Sequence, residues 1–118
     1  MRSTMSPELS AEDKKLVTLA RATRARTGAA EGAAVRDQDG RSYAGATVAL
    51  PSLEISAIGV CLAMAISSGA KSLEAVVVLT EADRVAPADL AAVADFAGSG
   101  IPVLRGDLRG VVGDSLMS

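Results

Sequence analysis

Apolar residues recur at helical spacing in the first quarter of the chain. Leu16, Leu19 and Ala20 fall on one face of a helix whose other faces are mostly basic. Ser10 suits the N-cap, because a serine oxygen accepts hydrogen bonds from free amides, and Gly28 suits the C-terminus, because glycine adopts the left-handed conformation that ends helices. The pattern predicts a helix that begins near Ser10 and ends at Gly28.

The next part of the chain has the pattern of a β-hairpin. Gly32–Arg36 and Arg41–Leu50 are strand candidates, and the Asp37–Gly40 segment between them has the Asp and Gly residues of a tight turn. Pro51 is expected to end the second strand, because proline has no amide to donate within a sheet.

The segment that follows Pro51 is apolar in every direction around a helical axis. After Glu54 no charged side chain occurs before Lys71, and Ser52 is placed to cap the N-terminus, so the segment predicts a helix over residues 52–68. A helix that is apolar all round is buried all round. Because a sheet covers only one side of a helix, the other side is expected to pack on a neighbouring helix or on a second subunit.

Two strands and a helix complete the pattern. Leu73–Leu79 is a continuous apolar run with three successive valines, which is typical of an interior strand. Pro87 opens a helix that ends at Gly98–Gly100, and Ile101–Leu104 is the last predicted strand. Strands that alternate with helices form parallel pairs, so the order predicts an α/β fold, a three-layer α/β/α sandwich with a mixed sheet.

Composition limits the chemistry that the chain can perform. Its 118 residues are 49% apolar and 2% aromatic, which suits one domain over residues 1–118 with a core of small side chains. Residues 1–6 are expected to be disordered. Because the chain has no His and a single Cys, Cys61, it excludes His-dependent triads, His-containing zinc sites and an intramolecular disulfide. Cys61 is expected to be an unreactive core thiol.

Charge and hydropathy restrict the partners and the location. The net charge of −2 argues against a nucleic-acid footprint, and the basic surface of the first helix is explained as a solvated face. The longest apolar stretch, Ile55–Ile66, is too short to span a membrane. The N-terminus lacks the apolar core of a secretion signal, and one thiol gives no sign of an oxidising compartment, so a cytoplasmic location is expected.

Three short framework segments precede the valine-rich strand. They are Gly32–Val35, Tyr43–Gly45 and Ala63–Gly69. Together with that strand they resemble the cytidine deaminase family, over residues 11–105. The resemblance implies the α/β/α fold and assembly into oligomers through helices. It also brings the expectation of a zinc ion held by H/C-x-E and P-C-x-x-C motifs, with the Glu transferring protons.

The resemblance places the zinc motifs on residues of a different kind. The H/C-x-E motif falls on Ser56 to Ile58, so a hydroxyl replaces the ligand and a hydrocarbon replaces the proton-transferring carboxylate. The second motif falls near Pro87 and Ala88, where no thiol occurs. The expectation is therefore a divergent member without a zinc site, without another cofactor and without catalytic residues.

The sugar-binding Asn-x-Glu motif of the family falls on Thr47 and Ala49. A vestigial pocket is therefore expected, and its candidate residues are Thr47, Ala49, Glu54, Ser56, Ile58, Pro87 and Ala88. The function expected for such a chain is that of a non-catalytic binding or scaffold protein, assembled as a dimer or tetramer through helix 52–68.

Two alternatives remain open. A divergent enzyme would perform metal-free chemistry with Glu54, Asp83 or Asp89 as acid or base. A sensor would bind a small molecule, a nucleoside or a nucleotide in the vestigial pocket without reaction. The neutral hydrogen-bonding residues available to such a sensor are Thr47, Ser52 and Ser56.

Overall fold

The computed structural model describes residues 8–118, so the disorder predicted for residues 1–6 lies outside the described residues. The helices are α1 (Ala11–Thr27), α2 (Ala57–Ser67) and α3 (Pro87–Ala97). The strands are β1 (Gly32–Asp37), β2 (Ser42–Ala46), β3 (Val48–Leu50), β4 (Leu53–Ile55), β5 (Leu73–Leu79), β6 (Pro102–Gly106) and β7 (Val112–Met117). None of the helices within residues 8–118 is long and apolar enough to cross a membrane.

Five strands form one mixed sheet in the order β2-β1-β5-β6-β7. β1 runs antiparallel to both β2 and β5, and β7 runs antiparallel to β6. β5 and β6 are parallel, with Val76 opposite Val103, and α3 forms the crossover between them. The mixed sheet predicted from the order of elements is confirmed.

Apolar cores lie on both faces of this sheet. Leu16 of α1 packs with Val77 of β5 on one face. Ile58 of α2 and Val93 of α3 pack with Val76 on the other face. Because successive side chains of a strand point to opposite faces, the valine run of β5 contributes to both cores. The layers are therefore α1, the sheet, and α2 with α3, which confirms the three-layer α/β/α sandwich.

The second helix begins later than the sequence pattern predicts. Ser52 lies in the turn between β3 and β4, and Glu54 lies in β4, opposite Ala49 of β3. Ser56, not Ser52, is the N-cap of α2. The prediction of a helix over residues 52–68 was wrong at its N-terminal end. Pro51 and Ser52 form the two-residue turn of a hairpin in which Leu50 pairs with Leu53, so the residues after Ser52 form a strand in place of the first turn of a helix.

Two other predictions about strands were incomplete. The strand predicted over Arg41–Leu50 is two strands, because the chain leaves the main sheet at Thr47 and β3 pairs with β4 instead. β7 was not predicted at all, although it covers one edge of the main sheet. Its residues alternate between buried or half-buried and exposed positions, which is typical of an edge strand.

Candidate functional site

A cleft of about 320 Å³ opens where β1 begins, where β2 ends and where the β3–β4 hairpin leads into α2. We call it the Glu31 cleft. Its lining residues are Glu31, Thr47, Val48, Ala49, Glu54, Ile55 and Ser56. The lining includes four of the seven residues that the sequence analysis selected, Thr47, Ala49, Glu54 and Ser56.

Thr47, which directly follows β2, forms hydrogen bonds with the backbone of Glu31. The Glu31 amide donates to Thr47 Oγ1 at 3.0 Å, and the Thr47 amide donates to the Glu31 carbonyl oxygen at 3.1 Å. Both backbone polar groups of Glu31 are therefore occupied by one residue, and the backbone from which the Glu31 side chain projects is held in place.

The Glu31 carboxylate is positioned by a buried hydroxyl. The hydroxyl of Thr80 donates to Glu31 Oε2 at 2.6 Å and accepts from the Ala82 amide at 3.0 Å. Thr80 is only 4% exposed, so its hydroxyl has few alternative partners. Among residues 8–118 no side chain or amide bonds to Glu31 Oε1, and this oxygen is available as an acceptor in the cleft.

Ser56 closes the cleft at the N-terminus of α2. Its Oγ accepts from the Gly59 amide at 2.9 Å, which caps the helix, and its hydroxyl donates to Asp89 Oδ1 of α3 at 2.7 Å. Since its single proton is committed to Asp89, Ser56 offers a ligand only an acceptor lone pair.

Glu54 and Ala49 lie at the solvent edge of the cleft. They are opposite each other in the β3–β4 hairpin, and both are exposed. Among the described part of the chain Glu54 forms no ion pair. Its carboxylate therefore adds negative charge to the cleft without a neutralising partner.

The remaining predicted residues lie apart from the cleft. Ile58 is 1% exposed and belongs to the core beneath α2. Pro87 and Ala88 are exposed in the first turn of α3. Ser52 and Asp83, which the two alternatives used, are exposed and do not line the cleft.

Sequence reasoning missed Glu31. Its position directly before the Gly32–Val35 segment was the available signal, since this residue must lie at the start of β1. Its partners Thr47 and Thr80 are distant in sequence, so only the tertiary structure brings the three side chains together.

The single thiol is not part of the cleft. Cys61 is fully buried in the core between α2 and the sheet. Burial raises the pKa of the Cys61 thiol to about 12, so it stays protonated near neutral pH. Because the thiolate is the nucleophilic form, Cys61 is an unreactive core residue, as the sequence indicated.

A family model described as cytidine deaminase-like matches residues 9–110, which is most of the chain. The chain belongs to the cytidine deaminase-like family. The resemblance carried by the framework segments is thereby confirmed. No curated protein matches the chain.

Solved structures of cytidine deaminases share this fold. The enzyme from Burkholderia pseudomallei aligns with a TM-score of 0.75 and 20% identity, covering 93% of this chain and 92% of that chain. The enzyme from Mycobacterium leprae gives 0.71 and 18%, covering 92% and 94%. The enzyme from Mycobacterium tuberculosis gives 0.67 and 21%, covering 81% and 85%. At these identities the similarity shows a shared fold.

The residues onto which the resemblance places the zinc motifs do not fit the metal. Zinc in proteins binds thiolate, imidazole or carboxylate groups. The Ser56 hydroxyl is engaged with Gly59 and Asp89, and the side chains of Pro87 and Ala88 carry no donor atom. Within residues 8–118 no three His, Cys, Asp or Glu side chains are grouped so that they could hold a metal ion.

Proposed function

We propose that this chain is a zinc-independent, non-catalytic binding protein of the cytidine deaminase-like family, and that its ligand occupies the Glu31 cleft. The observation that carries the proposal is the Thr47–Glu31–Thr80 network. It holds the Glu31 carboxylate in place and leaves its Oε1 as a hydrogen-bond acceptor inside the cleft. An acceptor held in place before binding favours recognition, because little freedom is lost when the ligand arrives.

The side chains of Ile58 and Ser56 support the absence of catalysis. Ile58, at the position of the family's proton-transferring carboxylate, is a buried hydrocarbon and has no group to transfer a proton. Ser56, at the position of a metal ligand, has its proton committed to Asp89. Neither residue can generate or direct a hydroxide ion, which is the step that hydrolytic deamination requires.

The chemistry of the cleft favours an uncharged ligand rich in hydrogen-bond donors. Its volume of about 320 Å³ is at the small end of the range for ligand pockets. Both charged residues that line it, Glu31 and Glu54, are acidic, and no basic residue lines it. A phosphate group would be repelled there, whereas hydroxyl and amino groups would be accepted, so a nucleoside fits the lining better than a nucleotide.

We also propose that the chain assembles as a homodimer or homotetramer through α2. Ile66 is 50% exposed, and Ala63 beside it is exposed too. Together with Leu62 and Phe96 they line an open apolar groove of about 500 Å³ between α2 and α3. A second copy that covers this groove would remove its apolar surface from water. The cytoplasmic location remains a prediction from the sequence.

Calorimetric titration tests the binding function. We expect uridine and cytidine to bind the wild-type chain, and uridine 5′-monophosphate to bind at least about tenfold more weakly. Glu31→Gln should weaken the binding of both nucleosides about tenfold, because a hydrogen bond to a charged acceptor is replaced by one to a neutral amide. The matched control Glu12→Gln, an exposed carboxylate of α1, should bind as the wild type does.

The same samples test the absence of catalysis. Cytidine incubated with the protein should release no ammonia above the buffer blank. Ammonia release that Glu12→Gln retains and Glu31→Gln loses would show an enzyme in place of a binding protein. If neither nucleoside binds, the Glu31 cleft is not a nucleoside site.

A further inference from the structure

We propose that the Ser56–Asp89 hydrogen bond joins the N-termini of α2 and α3 and takes the structural place of a metal bridge there. The inference does not depend on the ligand of the Glu31 cleft. The resemblance places one zinc motif at the start of α2 and the other at the start of α3, where the residues present do not match the motifs. A metal held by both motifs would tie these two helix ends together. In this chain a hydroxyl and a carboxylate make the connection directly.

The geometry of the contact is that of a strong hydrogen bond. Ser56 Oγ lies 2.7 Å from Asp89 Oδ1, within the range of an O–H group that donates to a carboxylate. Both residues are half-buried, so water competes less for the two groups than it would at an open surface. The same Oγ accepts from the Gly59 amide at 2.9 Å, so one oxygen caps α2 and holds α3.

Charge at the two helix ends favours a carboxylate at this place. The N-terminus of a helix carries partial positive charge, which attracts anions and repels cations. The first turn of α2 contains no acidic residue, and the N-cap residue of α3, Ala86, makes no side-chain capping bond. Asp89 is in the first turn of α3 and bonds to the cap of α2, so its negative charge serves both helix ends.

The remaining contacts between α2 and α3 show why the Ser56–Asp89 hydrogen bond matters for holding the helices together. Beyond the first turns an open apolar groove lies between the two helices, lined by Leu62, Ile66 and Phe96 among others. Among residues 8–118, the Ser56–Asp89 bond is the one side-chain hydrogen bond between the start of α2 and α3. Its loss should loosen α2 as well as α3.

A double-mutant cycle read by thermal unfolding tests this proposal. Ser56→Ala should lower Tm by about 8 °C, because it removes both the N-cap of α2 and the hydrogen bond to Asp89. Asp89→Ala removes only the second of these and should lower Tm by about 4 °C. The double variant should lose less than the sum of the two single losses, because the Ser56–Asp89 bond can be removed only once. The matched control is Ser10→Ala, which removes the N-cap of α1 with its 3.1 Å bond from Asp13 and removes no interhelical bond. It should lower Tm by about 4 °C.

Hydrogen exchange provides a second measurement if Ser56→Ala does not fold. In Asp89→Ala the amide of Gly59, which lies on the other helix, should exchange several-fold faster than in the wild type, while amides of α1 keep their rates. Addition of zinc chloride or of EDTA should leave the wild-type Tm unchanged. The proposal is overturned if the Tm losses in the cycle are additive or if the exchange rate of the Gly59 amide is unchanged. It is also overturned if zinc raises the wild-type Tm and EDTA lowers it.

Discussion

At the scale of single residues, Asp37 is a buried charge that the hairpin turn accommodates. The carboxylate is fully buried, and its Oδ1 accepts from the amides of Asp39 at 2.9 Å and Arg41 at 3.0 Å. Its Oδ2 accepts from the Tyr43 hydroxyl at 2.9 Å. Burial acts to raise the pKa of Asp37, but these hydrogen bonds outweigh burial and hold the pKa below its usual value. The bond to Asp37, together with burial, raises the pKa of Tyr43.

The same turn occurs a second time at Asp107. Its Oδ1 accepts from the amides of Arg109 at 2.9 Å and Val111 at 3.0 Å, and Gly110 takes a positive φ as Gly40 does in the first turn. The amide of Val111 is the main cause that lowers the pKa of Asp107. No tyrosine hydroxyl bonds to this carboxylate within residues 8–118. The two turns share their backbone hydrogen bonds, but Asp37 is fully buried and accepts from Tyr43, whereas Asp107 is half-buried.

The comparison of Asp37 with Asp107 gives a prediction about how stability depends on pH. Both carboxyl groups have lower pKa values in the folded chain than their ordinary value, so the stability they supply is present above about pH 4 and is lost as pH falls through the folded pKa. Asp37→Asn should lower Tm near neutral pH by several degrees more than Asp107→Asn, because Asp37 is fully buried and is the acceptor of the Tyr43 hydroxyl. The difference should shrink as pH falls from about 4 through the folded pKa of Asp37. Circular dichroism melting curves across this pH range measure it, and a difference independent of pH would contradict the assignment.

At the scale of elements, local signals predicted most helices and strands. Ser10 caps α1 through the Asp13 amide, and Gly28 ends the helix with a φ of 67°, as the pattern indicated. The signal for α2 failed because Ser52 and Ser56 are both good capping residues, and local sequence does not distinguish them. Pairing between β3 and β4 decides between the two serines. β7 was missed although the Asp107–Gly110 turn before it has the same pattern as the Asp37–Gly40 turn.

The contact between α1 and β1 depends on a glycine. A Cβ atom at Gly32 would collide with the carbonyl oxygen of Ala20 and with Cβ of Arg24, both on α1. Since backbone atoms cannot move aside without shifting the helix, Gly32→Ala should lower Tm by roughly 4–12 °C. The matched control is Gly113→Ala in β7, where the nearest atom is the Nη2 of Arg105 at 3.9 Å. It should leave Tm unchanged or raise it slightly. Equal effects of the two variants in a thermal melt would show that α1 adjusts freely.

At the scale of the whole molecule, the two helical layers are unequally covered. The buried residues of α1 lie against the sheet, and those of α2 lie against the other face, but the outer side of α2 retains exposed apolar side chains. The sequence analysis expected a helix with no polar side to need a second covering surface. Within one chain, α3 covers only part of that side and leaves the apolar groove open.

The proposed assembly makes a prediction at this scale. Light scattering should give a mass of two or four 11.9 kDa chains for the wild type. Ile66→Lys should shift the mass toward a single chain, because it places a charge in the apolar groove. The matched control Val111→Lys changes a residue that is 58% exposed, against 50% for Ile66, and lies away from α2. It should keep the wild-type mass. A wild-type monomer at micromolar concentration would contradict the assembly.

The sequence by itself determined the fold class, because the β5 valine run, the helical caps of α1 and the order of elements are local signals that agree with one another. It also determined the available chemistry, since a chain without His and with one Cys limits the metal ligands whatever its fold. Four of the seven candidate residues line the Glu31 cleft because β2, the hairpin and the start of α2 are consecutive in the chain. Residues on consecutive elements lie close together because the chain connects them directly.

Only the tertiary structure decided how distant residues combine. Thr80 meets Glu31, and Asp89 meets Ser56, across 49 and 33 positions of sequence. Those contacts depend on the antiparallel pairing of β1 with β5 and on the placement of α3 beside α2. Sequence spacing does not predict such contacts, because the partners of these hydrogen bonds depend on how the layers pack. For the same reason Ile58 lies in the core and Ala88 at the surface, although the sequence analysis assigned both to the vestigial pocket.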